Sequence, residues 1–177
     1  GTGTTTLNLG DFTAGTDQAL GTSGADGVVV NANAITVNHR VDTAASGPVT
    51  LNATAGLLTI GASGDILSDG IVTLTGSGGI STAGDVTTSG DLVRYASATS
   101  LTGPVALTSG AGAGDVEFQT TLDGAQALGI TAGTGNVLFT GLVGNATPLG
   151  AITIASAANV TGNGVRSSRF WQTAGTG

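Results

Sequence analysis

Few residues in this sequence have the chemistry to react, and their spacing limits what they can do. The single histidine stands in His39-Arg40-Val41-Asp42, beside a cation and a carboxylate. A general acid–base pair needs its two groups within hydrogen-bond reach. Side chains alternate along a strand, so His39 and Val41 fall on one side and Arg40 and Asp42 on the other. The spacing predicts a turn or solvent-facing polar cluster. The acids Asp65, Asp69, Asp85, Asp91, Asp115 and Asp123 are the next candidates, because polysaccharide-cleaving sites use carboxylates about 5–10 Å apart. Each of the six adjoins a glycine, as in Gly64-Asp65, Asp69-Gly70, Gly84-Asp85 and Gly114-Asp115, and Asp beside Gly is turn chemistry. With no lysine and four scattered arginines, a polysaccharide-active site is disfavoured. The expectation is no enzyme: no catalytic residue and no cofactor.

Calcium solenoids repeat a G-G-x-G-x-D-x-U-x word on successive half-turns. Gly24-Ala25-Asp26-Gly27-Val28 matches part of it once, which makes Asp26 the calcium candidate, whereas Gly112-Ala113-Gly114-Asp115 has the wrong spacing. An ice-binding lattice would need outward Thr-x-Thr on every coil. Thr73-Leu74-Thr75 qualifies, but Asn8/Gly10, Val29/Asn31, Thr50/Asn52 and Arg94/Ala96 break the pattern. A net charge of −7 argues against a phosphate backbone as partner. The lack of cysteine removes disulfides and thiolate metal sites, and no run approaches the ~20 apolar residues of a membrane span.

The composition points to what must position such residues. Of 177 residues 32 are glycine and only 8% are charged, yet 40% are hydrophobic, too many for a flexible linker. The apolar residues recur. GDVEFQTTLDGAQALGITAGTG (114–135) aligns with GNVLFTGLVGNATPLGAITIAS (135–156), and VVVNANA (28–34) with VTLNATA (49–55), both at an offset of 21. Anchors follow through the chain at Leu7, Val28, Val49, Val72, Val93, Val116, Val137 and Val160. Each opens an apolar-polar-apolar segment, the two-residue period of a half-buried strand. Thr5, Asp26, Gly47, Gly70, Asp91, Gly114, Gly135 and Ala158 stand two places before the anchors and are mostly turn formers.

Short strands recurring at steps of 21 to 23, without helical patterning, predict an all-β fold, a right-handed parallel β-helix (β-solenoid) of about eight coils. The positions two after each anchor form one inward ladder: Leu9, Val30, Leu51, Leu74, Tyr95, Phe118, Phe139 and then Gly162. Three aromatics should stack in succession. The outward ladder sets Arg94 beside Glu117 as an ion pair, a test of register because a slip by one position would turn Arg94 into the core. Further strands are expected at Ile35-Thr36-Val37, Leu58-Thr59-Ile60, Val105-Ala106-Leu107 and Ile152-Thr153-Ile154, at variable distances from the anchors.

Near the C-terminus, Arg166, Arg169, Phe170 and Trp171 gather two of the four arginines and the only tryptophan. One reading has Phe170 or Trp171 completing the last coil's core while the arginines satisfy backbone or acidic neighbours; the other makes the group an interface. Adjacent aromatics on a strand face opposite ways, so at least one should be exposed or in an interface. Gly175-Thr176-Gly177 repeats Gly1-Thr2-Gly3, a period of 174, although the same word also occurs at Gly133-Thr134-Gly135. That period would place the next anchor beyond Val160 by the same step that separates Val28 from Val49. Residues 1–177 then read as a single β-solenoid unit, one period of a tandem array.

The words FWQTAGTG (170–177) with GTGTTTLNLGDF (1–12), ISTAGDVTTSGDLV (80–93), LTGPVALTSGAGAGDVEF (101–118) and DGAQALGITAGTGNVLFTGLVGNATPLGAITI (123–154), in that order, resemble the repeats of giant secreted bacterial proteins of the filamentous-haemagglutinin-like or autotransporter-like kind. Arg166, Arg169 and Trp171 depart from that wording, where small or polar residues are usual. The resemblance implies a fibre or adhesin stalk at the cell surface, exported across the outer membrane of a Gram-negative-type bacterium. The expected partners are adjacent units of the same fibre, with lateral fibre contacts or surface glycans as further possibilities, and neither nucleic acid nor membrane insertion by this segment. The alternative functions are a receptor- or glycan-binding adhesin module and, less favoured, a polysaccharide-active enzyme.

Overall fold

A computed structural model describes the backbone of residues 6–9 and 20–22 and all of residues 27–175. Among these residues there are strands, bends and turns but no helix, and every strand pairing is parallel. The chain is a β-solenoid. Three parallel sheets run its length, and each coil visits them in the same order. Sheet A holds Thr6–Leu9, Ala34–Val37, Leu58–Ile60, Ile80–Thr82, Thr99–Leu101 and Leu122–Asp123, extended by single bridges at Val143 and Val165. Sheet B holds Leu20–Thr22, Val41–Thr43, Ile66–Ser68, Val86–Thr88, Val105–Thr108, Leu128–Thr131, Leu149–Ser156 and Ser167–Gln172. Sheet C carries the anchors in Val28–Ala32, Val49–Ala53, Val72–Gly76, Val93–Tyr95, Val116–Phe118, Val137–Phe139 and Val160–Gly162.

The anchor register is met from Val28 to Val160, each anchor pairing with the next. Leu7 departs from it. Strand Thr6–Leu9 lies on sheet A, with Leu7 opposite Ile35 and Leu9 opposite Val37, so Leu9 does not head the ladder that begins at Val30. About seven turns result, where eight coils are expected from counting Leu7 as an anchor. A local apolar-polar-apolar triplet suits an outer position on any of the three sheets, and the triplet alone does not choose among them. The further strands divide for a similar reason. Ile35–Val37 and Leu58–Ile60 are rungs of sheet A, while Val105–Leu107 and Ile152–Ile154 are rungs of sheet B. Their uneven distance from the anchors reflects corners of different length.

Alternation sorts the side chains. In Val49–Ala53 and Val72–Gly76 every second residue is buried and its neighbours face outward. The inward residues form one continuous core of Val, Leu, Ile and three aromatics. Corners explain much of the glycine. At Gly114 an added Cβ would come within 2.5 Å of the Asp91 carbonyl oxygen, and at Gly70 equally close to that of Ser46. Backbones of successive coils stack directly there, leaving no room for a side chain.

Candidate functional site

The aromatic residues two after the anchors form the stack that the register predicts. Tyr95 and Phe118 have ring centroids 4.8 Å apart at 15°, and Phe118 and Phe139 are 5.6 Å apart at 14°. All three are buried. Gly162 follows Phe139 on the next rung and leaves that ladder without a side chain. On the outward side, Arg94 Nε donates to Glu117 Oε2 at 2.8 Å, across paired positions of adjacent coils. The Arg94 side chain is 35% exposed and that of Glu117 18%, so the pair contributes about 0.2–1 kcal/mol. Its place on the outer face fixes the register of this region.

The polar residues around His39 face solvent at a bend, as their spacing predicts. His39 is exposed in the bend between two strands, and so does not share the side of buried Val41. Arg40 pairs instead with Asp42, the residue on its own side. The acids beside glycines do not gather. Most of them accept hydrogen bonds from backbone N–H groups of a neighbouring coil. Asp65 accepts from Asp85 (2.9 Å), Asp85 from Ala106 (2.7 Å), Asp115 from Asn136 (2.6 Å) and Asp123 from Ala146 (2.7 Å). These carboxylates staple one coil to the next. Asp69 reaches backwards: Ser46 N–H donates to its carboxylate at 2.8 Å, which holds Asp69 below the usual carboxylate pKa.

Among the described residues no group of three or more His, Asp or Glu side chains is placed to hold a metal ion; Asp26, the calcium candidate, lies outside them. No helix of the described residues is long and apolar enough to cross a membrane. An open groove of about 360 Å³ runs over Asp42, Leu67, Asp69 and Thr87. Its two carboxylates are already engaged, by Arg40 and by the Ser46 N–H.

A polar ladder inside the core has no counterpart in the sequence reading. Thr43, Ser68, Thr88 and Ser109 lie at the ends of successive rungs of sheet B and are buried. Thr43, Thr88 and Ser109 donate to carbonyls near the end of the corner that follows each of them, and Ser68 donates back to the corner of the preceding coil. Thr43 and Ser68 bond Gly47 O, Thr88 bonds Asp91 O at 2.6 Å, and Ser109 bonds Gly114 O. Gly47, Asp91 and Gly114 stand two places before the anchors, so the hydroxyls satisfy carbonyls that the tight corner turns inward. The hydroxyl side chains lie four to seven places before their anchors, a spacing too irregular to find from the sequence.

The remaining candidates lie at the C-terminal end of the solenoid. Phe170 pairs in register with buried Ile152, and Val165 with buried Val143, so both occupy inward positions. Both are nevertheless partly open, Phe170 at 44% and Val165 at 38%, because among the described residues no further rung lies over them. Trp171 is opposite Thr153 on the outward side and 51% exposed, so the two aromatics face opposite ways as alternation requires. Arg169 places its guanidinium 4.6 Å from the centre of the Trp171 ring, and Arg166 Nη1 donates to Asn145 O at 3.3 Å. These side chains border the last strands of sheets B and C, Ser167–Gln172 and Val160–Gly162, each of which is paired on one edge only among the described residues. The site is thus an open strand edge with an apolar rung showing, bordered by one cation–π pair. No family model matches the chain, and neither does any curated protein or solved structure in the comparisons made.

Proposed function

We propose that this chain is a structural repeat of a long extracellular bacterial fibre or adhesin stalk, exported across the outer membrane and stacked end to end with identical or similar units. The observation that carries this reading is the parallel register that repeats coil after coil from Val28 to Val160; among the described residues Phe170 and Val165 stand in register with that core but remain partly open. An open parallel edge above an apolar rung is a template for another strand and a hazard for an isolated domain. In a tandem array Leu7 of the next unit follows Val160 at an ordinary coil step, so the strand that holds it supplies a cover for this edge. A contact between unlike ends that does not close on itself builds a filament. Within such a fibre the chain's work is mechanical, with no catalysis of its own.

Proteins of one, two and four tandem units test this by electron microscopy. About seven turns, with a further coil at the joint, at ~4.8 Å each add roughly 34–38 Å of length per unit. Rods that lengthen by that step are expected. Separate globules of constant diameter would overturn the array.

A receptor- or glycan-binding module is the second reading, favoured by the exposed Trp171 ring beside Arg169. It predicts that Trp171→Ala abolishes binding to a glycan array while rod length is unchanged.

A further inference from the structure

Strand Thr6–Leu9 is out of step with the rest of sheet A. From Ile35 through Leu58, Ile80, Thr99, Leu122 and Val143 to Val165, registered partners in that sheet follow one another at the spacing of a single coil. The step from Leu7 to Ile35 is longer than any of these. In sheet C the registered steps alternate between two values, that of Val28 to Val49 and that of Val49 to Val72. Leu7 precedes Val28 by the first of them. Among the described residues sheet C is also open at both ends, since Val28–Ala32 and Val160–Gly162 are its terminal strands.

We propose that in the fibre strand Thr6–Leu9 leaves sheet A and seats in sheet C at the junction between units, with Leu7 opposite Val160, Asn8 opposite Thr161 and Leu9 opposite Gly162 of the preceding unit. The inference rests on the array reading and specifies its joint. On sheet A the strand is paired on one edge, with Ala34–Val37, among the described residues. Between Val160–Gly162 of one unit and Val28–Ala32 of the next it is paired on both, which adds a ladder of backbone hydrogen bonds and joins two sheets into one. Strand addition of this kind draws its affinity from the main chain and its register from alternate side chains. The register fits. An added Cβ at Gly162 would meet Phe139 only at ordinary contact distance, 3.5 Å and beyond, so that position has space beside the aromatic ladder. Leu9 is the apolar residue that the step brings opposite it. The seventh and eighth coils then close, and one period contains eight rungs of sheet C.

The chain has no cysteine, so introduced thiols report unambiguously. In the single unit, the Asn8→Cys, Thr36→Cys double variant is expected to cross-link with a short bis-maleimide, because these two positions are paired there. In a two-unit protein, thiols at Thr161 of the first unit and Asn8 of the second are expected to cross-link, with loss of the link between Asn8 and Thr36 within the second unit. A rod of two-unit length in which Asn8 still links to Thr36 overturns the proposed seat and leaves the array standing. A two-unit protein that forms no rod overturns the array, and the joint with it.

Discussion

The ring of Phe118 lies 4.8 Å from that of Tyr95, one coil along sheet C and 15° from parallel, and the backbone rungs beneath them pair residue for residue. A parallel ladder therefore sets side chains of the same position face to face, and the core becomes a column of rings. Phe118 has an aromatic neighbour on both sides, Tyr95 and Phe139. Phe118→Ala should cost about 3–5 kcal/mol, the range for deleting a buried aromatic, measured as a fall in the urea midpoint. Tyr95 carries a further cost. Its hydroxyl is buried without a hydrogen-bond partner, and burial holds its pKa above the usual phenol range. The Thr82 hydroxyl donates to Gly84 O at 3.4 Å and leaves the phenol unpaired. Tyr95→Phe keeps the ring and removes the unpaired hydroxyl, and is expected to be neutral or to stabilise by up to about 1 kcal/mol.

Thr88 tests the internal hydroxyl ladder. Its Oγ1 donates to Asp91 O at 2.6 Å and accepts from Asp91 N–H at 3.2 Å. Thr88→Val preserves shape while leaving both backbone groups unsatisfied, and should cost about 1–3 kcal/mol. Thr87→Val, on the outward side of the same strand, should stay within about 0.5 kcal/mol. Equal losses at the two positions would refute a role for the hydroxyl.

Two glycines separate corner from strand. Gly114→Ala would bring its Cβ within 2.5 Å of the Asp91 carbonyl oxygen and within 2.7 Å of the Asp91 carbonyl carbon, and is expected to destabilise by about 1–3 kcal/mol through overpacking. Gly129 lies within a strand of sheet B, where an added Cβ would meet nothing nearer than Val105 O at 4.0 Å. Gly129→Ala should stabilise by about 0.4–1 kcal/mol by restricting the unfolded chain. Thermal melts of the two variants should shift in opposite directions.

Asp69 gives the solenoid an acid dependence of known sign. Its carboxylate is held below the ordinary value chiefly by the Ser46 N–H, then by the Ser89 hydroxyl. Ala45 and Ser46 both have positive φ, 53° and 65°, without being glycine, so the same bond secures a strained corner. A depressed folded pKa means that the contribution is complete above the unfolded carboxylate value of about 3.9 and is lost as pH falls through the lower folded value. Urea midpoints between pH 7 and pH 2 should therefore fall less steeply at the acid end for Asp69→Asn than for the parent, with the variant less stable at pH 7. An unchanged acid slope would count against the bond.

The legible part of the fold is the part written in repetition. The alternation of Val49-Thr50-Leu51 and Val116-Glu117-Phe118, recurring once per coil, identifies parallel coils, the aromatic column and the Arg94–Glu117 pair, because each rung of a parallel ladder meets its own equivalent. The candidate site is half legible. Alternation requires Phe170 and Trp171 to face opposite ways, but that Phe170 occupies an inward seat and remains 44% exposed depends on whether another rung follows. Beside their glycines, Asp65, Asp85, Asp115 and Asp123 read as turn chemistry, whereas their carboxylates reach the backbone of the next coil, a contact between positions a full coil apart in the sequence.

Local alternation and a near-constant step suffice to give the period, the strand faces and the anchor register from Val28 to Val160, with no knowledge of the folded chain. Three things come only from the folded chain: the sheet that each irregularly spaced strand joins, the meeting of the Thr43, Ser68, Thr88 and Ser109 hydroxyls with the corner carbonyls, and the pairing of Leu7 with Ile35. The physical reason is common to all three. An apolar triplet fits any sheet of the solenoid, so its place is set by the length of the corner before it and by the backbone edge left open beside it, and neither is a property of the triplet.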